Sequence, residues 1–130
     1  MNSRRKGAVG EREIAHILQG YGYETRRGQQ FSGANGDADI EGLPGIHIEC
    51  KRVEHLNIDK ALEQAIRDNY ADSIKQGVKL LPAVFHRANE DRKKDSTRGK
   101  WKVTMTLDDW MILYQAWDVQ NIPFSDKEIK

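Results

Sequence analysis

Asp39, nine intervening residues, and then Glu49-Cys50-Lys51 bring two carboxylates and an ammonium within reach of one another. On a strand, residues i and i+2 share a face, so Glu49 and Lys51 project together while Ile48 and Cys50 turn into the core. If the segment carrying Asp39 folds back as a hairpin, its carboxylate reaches Glu49, and the three groups converge at a sheet edge. Two carboxylates a few ångströms apart repel each other, and a divalent cation relieves that repulsion. Oxygen-only ligands suit Mg²⁺ or Mn²⁺ rather than zinc. Such an ion retains waters, one of which can attack a phosphodiester, with Lys51 orienting it or stabilising the developing charge. A bare Glu-x-Lys is common by chance. Its place on an alternating apolar strand, with an Asp upstream, is less so; the bland alternative is a surface ion pair.

The elements that would position these groups follow from periodicity. Residues 8–20 read as a helix with Ile14, Ile17 and Leu18 on one face and Gly20 as its stop. Glu11 falls near that face and Arg12 opposite it, with Glu13 nearly as well placed as Glu11. A carboxylate beside a core face needs a partner, and a shared metal would supply one. Residues 22–27 read as a short strand. Residues 28–36, with three glycines, Ser32 and Asn35, form a loop that could admit a phosphate or simply connect.

Residues 38–42 and 45–53 read as two short strands joined by the turn 42–45. In the second, Ile46, Ile48 and Cys50 alternate with His47, Glu49 and Lys51, which predicts one apolar and one polar face. His47 shares the face of Glu49 and could touch substrate. Asn57 caps a helix running to about Gln76, closed by Gly77, with Ile58, Leu62, Ala65 and Ile66 as its buried stripe. Residues 79–86 read as a buried strand, moved toward an edge by Pro82. Residues 101–107 alternate as a strand. Thr106 and Asp109 begin a last helix with Trp110, Leu113, Tyr114 and Trp117 on one face. Core packing is the expected role of Trp101, Trp110 and Trp117. The order helix, three strands, helix, two strands, helix predicts an α/β fold: a mixed central β-sheet flanked by helices.

These residues resemble the PD-(D/E)xK nuclease superfamily, and within it the archaeal-type Holliday junction resolvases. Arg5-Lys6-Gly7-Ala8-Val9-Gly10-Glu11-Arg12 is similar to their basic opening segment and metal-binding helical Glu, which selects Glu11 over Glu13. Phe31-Ser32-Gly33 resembles their Ser-Gly loop, in which the Ser contributes to cleavage. Asp37-Ala38-Asp39-Ile40 stands where the family has Pro-Asp-Ile, so Asp39 corresponds to the metal-binding Asp. The proline is absent here, which leaves Asp37 as a substitute ligand. Glu49-Cys50-Lys51 is the Glu-x-Lys element, and Glu63-Gln64-Ala65 resembles a step on the following helix that brings Gln64 into consideration. The match runs from about Arg5 to His86. It implies a restriction-endonuclease-like core and a Mg²⁺- or Mn²⁺-dependent DNA endonuclease acting on four-way junctions as a homodimer. Glu11, Asp39 and Glu49 would hold metal, with Lys51 and Ser32 as further catalytic groups. Nucleases acting on flap, nicked or single-stranded DNA would keep the same site. A non-catalytic nucleic-acid-binding module is the third reading.

Length and composition fit one domain. The chain has 130 residues, 38% hydrophobic and 32% charged, with a formal net charge of +1. That suffices for a single core, expected over about 5–118 with a polar tail at 123–130. No apolar run spans a bilayer, no secretory signal opens the chain, and no nucleotide-binding fingerprint is present. The single Cys50 allows neither an internal disulfide nor a Cys-based zinc site, so a reducing cytoplasm is the expected home. Charge is distributed unevenly. Residues 87–102 carry seven bases against three acids, whereas 31–86 carry nine acids against six bases. Two basic regions around an acidic centre suit a polyanion-binding protein that also holds cations. The candidates for phosphate contact are Arg4, Arg5, Lys6, Arg26, Arg27, Lys93, Lys94 and Arg98.

Overall fold

In a computed structural model, residues 3–28, 38–89 and 97–120 are described, with side chains from Gly7 onward. Eight elements appear in the expected order: α1 (Ser3–Gly20), β1 (Arg26–Arg27), β2 (Ile40–Glu41), β3 (Ile46–Arg52), α2 (Ile58–Gln76), β4 (Leu81–Arg87), β5 (Lys102–Thr104) and α3 (Leu107–Asp118). The five strands lie side by side in chain order. β1, β2 and β3 are successively antiparallel, β3 and β4 are parallel, and β5 returns antiparallel to β4. The protein is therefore α/β, with a mixed five-stranded sheet flanked by helices. Among the described residues no helix is long and apolar enough to cross a membrane.

Turn chemistry fixes the hairpin. Gly42 and Gly45 both have positive φ, 98° and 82°. A Cβ on Gly42 would stand 2.2 Å from the Glu24 carbonyl oxygen, so only glycine lets the chain before β1 lie against this turn. The β3–β4 pair needs a crossover, and α2 provides it. Its ends form as the sequence predicts. Asn57 Oδ1 accepts from the Lys60 N–H at 3.1 Å, and Gly77 closes the helix in the left-handed conformation.

The crossover changes the character of β3. With β4 on one side and β2 on the other, β3 is central, and both its faces are covered. On one face, Ile48, Cys50, Ala83 and Phe85 pack with Ile40 and with Ile14 and Ala15 of α1. On the other, Val84 packs with Ala61 and Ala65 of α2. The expected polar face is consequently interior: His47 is wholly buried and Glu49 is 2% exposed. The expectation of a sheet edge there is corrected for the same reason.

Smaller corrections follow from packing. α1 begins at Ser3 rather than at residue 8, and Ala15 rather than Ile17 joins Ile14 in the core. The buried stripe of α2 is Ala61, Ala65 and Asp72, while Ile66 faces outward. Small alanines let the helix lie close over β3 and β4. β4 is not an edge strand; β5 pairs with it only from Val84 onward, so Pro82 lies beyond the end of that ladder. α3 forms under its Thr106 cap, yet none of its residues is buried. Trp110 and Trp117 are exposed and do not complete the core, whereas Trp101 is partly buried against it. The polar tail lies outside the described residues.

Candidate active site

Glu13 and Glu11 show how α1 is set against the sheet. Glu13 accepts from three donors: Arg52 Nη1 on β3 at 2.6 Å, Arg87 Nη1 on β4 at 2.7 Å, and Trp101 Nε1 at 2.7 Å. Burial opposes its charge, but these hydrogen bonds and the two arginines hold its carboxyl below the usual range. Glu13 is thus a clamp between α1 and three segments of the sheet layer. Gly10 permits the approach, since a Cβ there would stand 2.9 Å from the Arg52 Cβ. Glu11, two residues earlier, turns instead toward Arg27, Asp39 and Lys51. The two acids that the helical wheel could not separate therefore have different surroundings.

Asp39 lies immediately before β2 and is 8% exposed. Its N–H donates to the Ile48 carbonyl at 2.9 Å, and its Oδ2 accepts from the Cys50 N–H at 2.7 Å. Those two bonds pin the carboxylate across β3, beside Glu49. Glu49 in turn belongs to a buried chain of hydrogen bonds. His47 Nε2 lies 3.0 Å from Glu49 Oε1, and its Nδ1 lies 2.7 Å from Asp72 Oδ2 on α2. Gln76 Nε2 donates to the other Asp72 oxygen at 2.7 Å. Burial alone would lower the His47 pKa, but hydrogen bonds to Glu49 and Asp72 and their charges raise it. His47 thereby bridges Glu49 on its own strand to Asp72 on α2.

Glu49 is pushed up to about 7, first by burial, then by the Asp39 charge and a hydrogen bond with Asp39, against the lowering effect of His47. At neutral pH the Glu49 carboxyl therefore holds its proton far more readily than an exposed glutamate does. Glu11 is also raised, chiefly by burial. The hydrogen bond from Arg27 Nε at 2.9 Å opposes this, the Asp39 charge adds to it, and Lys51 counts against it. Burial pushes the Cys50 thiol up, with the Asp39 and Glu11 charges adding to it, so Cys50 is a neutral core residue.

Asp39 and Glu49 thus stand side by side at the approach to β2 and on β3, and the charges of Asp39 and Lys51 are felt at Glu11 on α1. Among the described residues, no three His, Cys, Asp or Glu side chains are arranged as a ready metal cage. Glu11 is engaged by Arg27, Asp39 Oδ2 by the Cys50 N–H, and Glu49 Oε1 by His47. Gln64 is half-buried on α2. Ser32, Asp37, Lys93 and Lys94 lie outside the described residues, as do the side chains of Arg4, Arg5 and Lys6, whose backbone forms the first turns of α1.

The other residues expected to contact phosphate each have an acid partner within the chain. Arg26 pairs with Glu41 at 3.3 Å, Arg27 with Glu11, and Arg98 with the Glu54 carboxylate and, at 3.0 Å, its carbonyl. His47 is not placed to touch substrate, because it is sealed beneath α2. Asp72 was missed by sequence reasoning, although it stands three helical turns from Ala61 on the same face of α2. An acid on an apolar stripe is a signal that a buried partner awaits it. Comparison with protein-family models, with curated proteins and with solved structures finds no match for the chain.

Proposed function

We propose that this protein is a metal-dependent DNA endonuclease with a restriction-endonuclease-like core. The observation that carries the reading is the pairing of Asp39 with Glu49, whose carboxyl is pushed up to about 7, within range of the charges of Glu11 and Lys51. Arg27 answers the charge of Glu11, and His47 that of Glu49, yet Glu49 is still pushed up beside Asp39, and a divalent cation is one way of relieving that repulsion. The antiparallel pair bearing Asp39 and Glu49, the helix carrying Glu11, and the parallel strand reached through α2 agree with the fold that the resemblance implies.

Asp39 and Glu49 would hold Mg²⁺ or Mn²⁺, and Glu11 would join them on release from Arg27. The ion would supply an activated water for phosphodiester hydrolysis. His47 and Asp72 fix the Glu49 carboxylate in orientation, as hydrogen bonds behind a ligating group commonly do. Lys51 brings positive charge to the phosphate as negative charge develops there. Arg27, once freed from Glu11, is an adjacent donor for the same phosphate.

Four-way DNA is the preferred substrate on this reading, and paired cuts require two copies of the site. The test is cleavage of labelled junction, flap, nicked, duplex and single-stranded DNA near physiological salt, with Mg²⁺ and with chelator. Junction cleavage that stops in chelator supports the reading. Equal cleavage of all forms moves the assignment to a general nuclease, and binding without cleavage moves it to a non-catalytic module.

A further inference from the structure

Residues that stand opposite one another on neighbouring strands share a face of the sheet. On the face that Ala61 and Ala65 of α2 cover, Glu49 of β3 stands opposite Val84 of β4, and Val84 opposite Thr104 of β5. The next row, one step nearer the carboxyl ends of the parallel strands, is Lys51, His86 and Lys102. Glu49 and Val84 are sealed from water, but the second row is not: Lys51 and His86 are half-buried and Lys102 is exposed. The carboxyl ends of parallel strands are where α/β sheets receive their ligands.

Positive charge on this row is uncompensated. Among the described residues, Arg26, Arg27, Arg52, Arg87 and Arg98 all stand in ion pairs with acids, whereas Lys51 and Lys102 stand in none. The acids nearest Lys51 in the chain, Glu49 and Glu54, are held by His47 and Arg98. His86 is fixed between the two lysines. Its Nε2 lies 2.8 Å from Thr104 Oγ1, and its Nδ1 has no partner among the described residues. A hydroxyl that donates to Nε2 leaves the ring proton on Nδ1, from which it can be donated to an anion. Burial and the Lys102 charge lower the His86 pKa, which favours the neutral ring.

We propose that Lys51, His86 and Lys102 form a phosphate track along which the cut nucleic-acid strand leaves the site, with His86 Nδ1 donating to the phosphate next to the one attacked. The track rests on the nuclease reading and gives its substrate a direction: from Asp39 and Glu49, across β4, to the outermost strand β5. Strands about 4.8 Å apart put Lys102 about 10 Å from Lys51, which is roughly three steps of about 3.4 Å along one strand of a duplex. The two lysines attract the backbone whatever its sequence. A neutral histidine between them adds a directed hydrogen bond without adding to their mutual repulsion. Thr104 is a positioning residue that sets the ring for that bond.

The test is binding of a labelled four-way junction in chelator over a series of salt concentrations, with cleavage in Mg²⁺ scored in parallel. Wild type is compared with Lys102→Gln, His86→Ala and His86→Asn, each checked for an unchanged thermal melt. Lys102→Gln should reduce the slope of log affinity against log salt by about 0.9. His86→Ala should weaken binding about three- to tenfold with an unchanged slope, because the contact it loses is uncharged. His86→Asn, whose amide N–H can replace that of Nδ1, should recover most of the loss. Single neutral methylphosphonates placed along the cut strand then locate the contact: one beside the scissile phosphate should weaken wild type and leave His86→Ala unaffected. Wild-type affinity and slope in both Lys102→Gln and His86→Ala overturns the track. So does a loss in His86→Ala that no methylphosphonate reproduces, which is the mark of a merely structural histidine. Junction cleavage by a wild type whose binding ignores both substitutions overturns the track and leaves the nuclease reading standing. Binding that runs through His86 and Lys102 without cleavage upholds the track and removes the nuclease reading, and a wild type that binds no DNA overturns both.

Discussion

Replacing Glu49 by Gln should stabilise the protein above neutral pH while leaving it nearly unchanged in mild acid. In the folded chain the Glu49 carboxyl is raised to about 7, from an ordinary value near 4.5, by burial and by Asp39. A carboxyl raised on folding favours the protonated native state. Its contribution is therefore fully present below about 4.5 and is lost as pH rises through about 7. Each tenfold change in proton affinity is worth about 1.4 kcal/mol, so the loss between about pH 5 and pH 8 is about 2–3 kcal/mol for a group this deeply buried. Gln reproduces the protonated acid: its oxygen can accept from His47 Nε2, and its amide can donate toward Asp39. The assay is urea unfolding of both proteins at pH 5, 6, 7 and 8. With a slope of about 1–3 kcal/mol per molar urea, the two midpoints should lie close together at pH 5 and differ by about 1–2 M at pH 8. Taking the difference removes the contribution of His86, whose pKa is lowered by burial and by Lys102. A constant difference across this range, or a wild type that gains on the variant with rising pH, would refute the raised Glu49 carboxyl.

Three further outcomes are expected. On the proposed reading, adding Mg²⁺ or Mn²⁺ at pH 8 should raise the wild-type unfolding midpoint and barely change that of Glu49→Gln, because a cation held by the native state alone stabilises it; thermal melts with and without chelator check this. Glu13→Ala leaves two arginines and an indole N–H without their acceptor at a half-buried position, and should cost about 2 kcal/mol in urea unfolding without altering the identity of the metal site. Lys51→Ala should abolish cleavage and weaken DNA binding only slightly, measured by gel shift beside a cleavage assay; normal turnover in that variant would remove Lys51 from the chemistry.

The order of elements was legible because each local signal agreed with its neighbours. Asn57 and Gly77 mark the ends of α2, Gly42 and Gly45 mark the hairpin, and Thr106 marks the start of α3. The proximity of Asp39 to Glu49 was also legible, because a short hairpin leaves few alternatives. The burial of Glu49 was not. Alternation along β3 reports two faces but does not say whether the polar one meets water, and that was decided by α2, whose alanines bring it down over His47 and Glu49. The same limit explains Asp72, which becomes intelligible only once its partner on β3 is known. The tryptophans failed in the opposite sense. An apolar stripe predicts burial, but Trp110 and Trp117 have nothing within the described chain to bury them. The acid partners of the basic residues were not legible either, because they lie near only in the folded chain, as Glu11 does to Arg27.

The central claim is that Asp39 and Glu49, with Glu11 and Lys51, form a metal-dependent phosphodiesterase centre. Its most direct test compares wild type with Asp39→Asn on one labelled four-way junction in Mg²⁺, scoring cleavage and binding from the same samples. The account predicts strand cleavage by the wild type, none by Asp39→Asn, and DNA binding by the variant at least equal to wild type, since a negative charge facing phosphate has been removed. Cleavage by Asp39→Asn at the wild-type rate, or wild-type cleavage that persists undiminished in chelator, would contradict it.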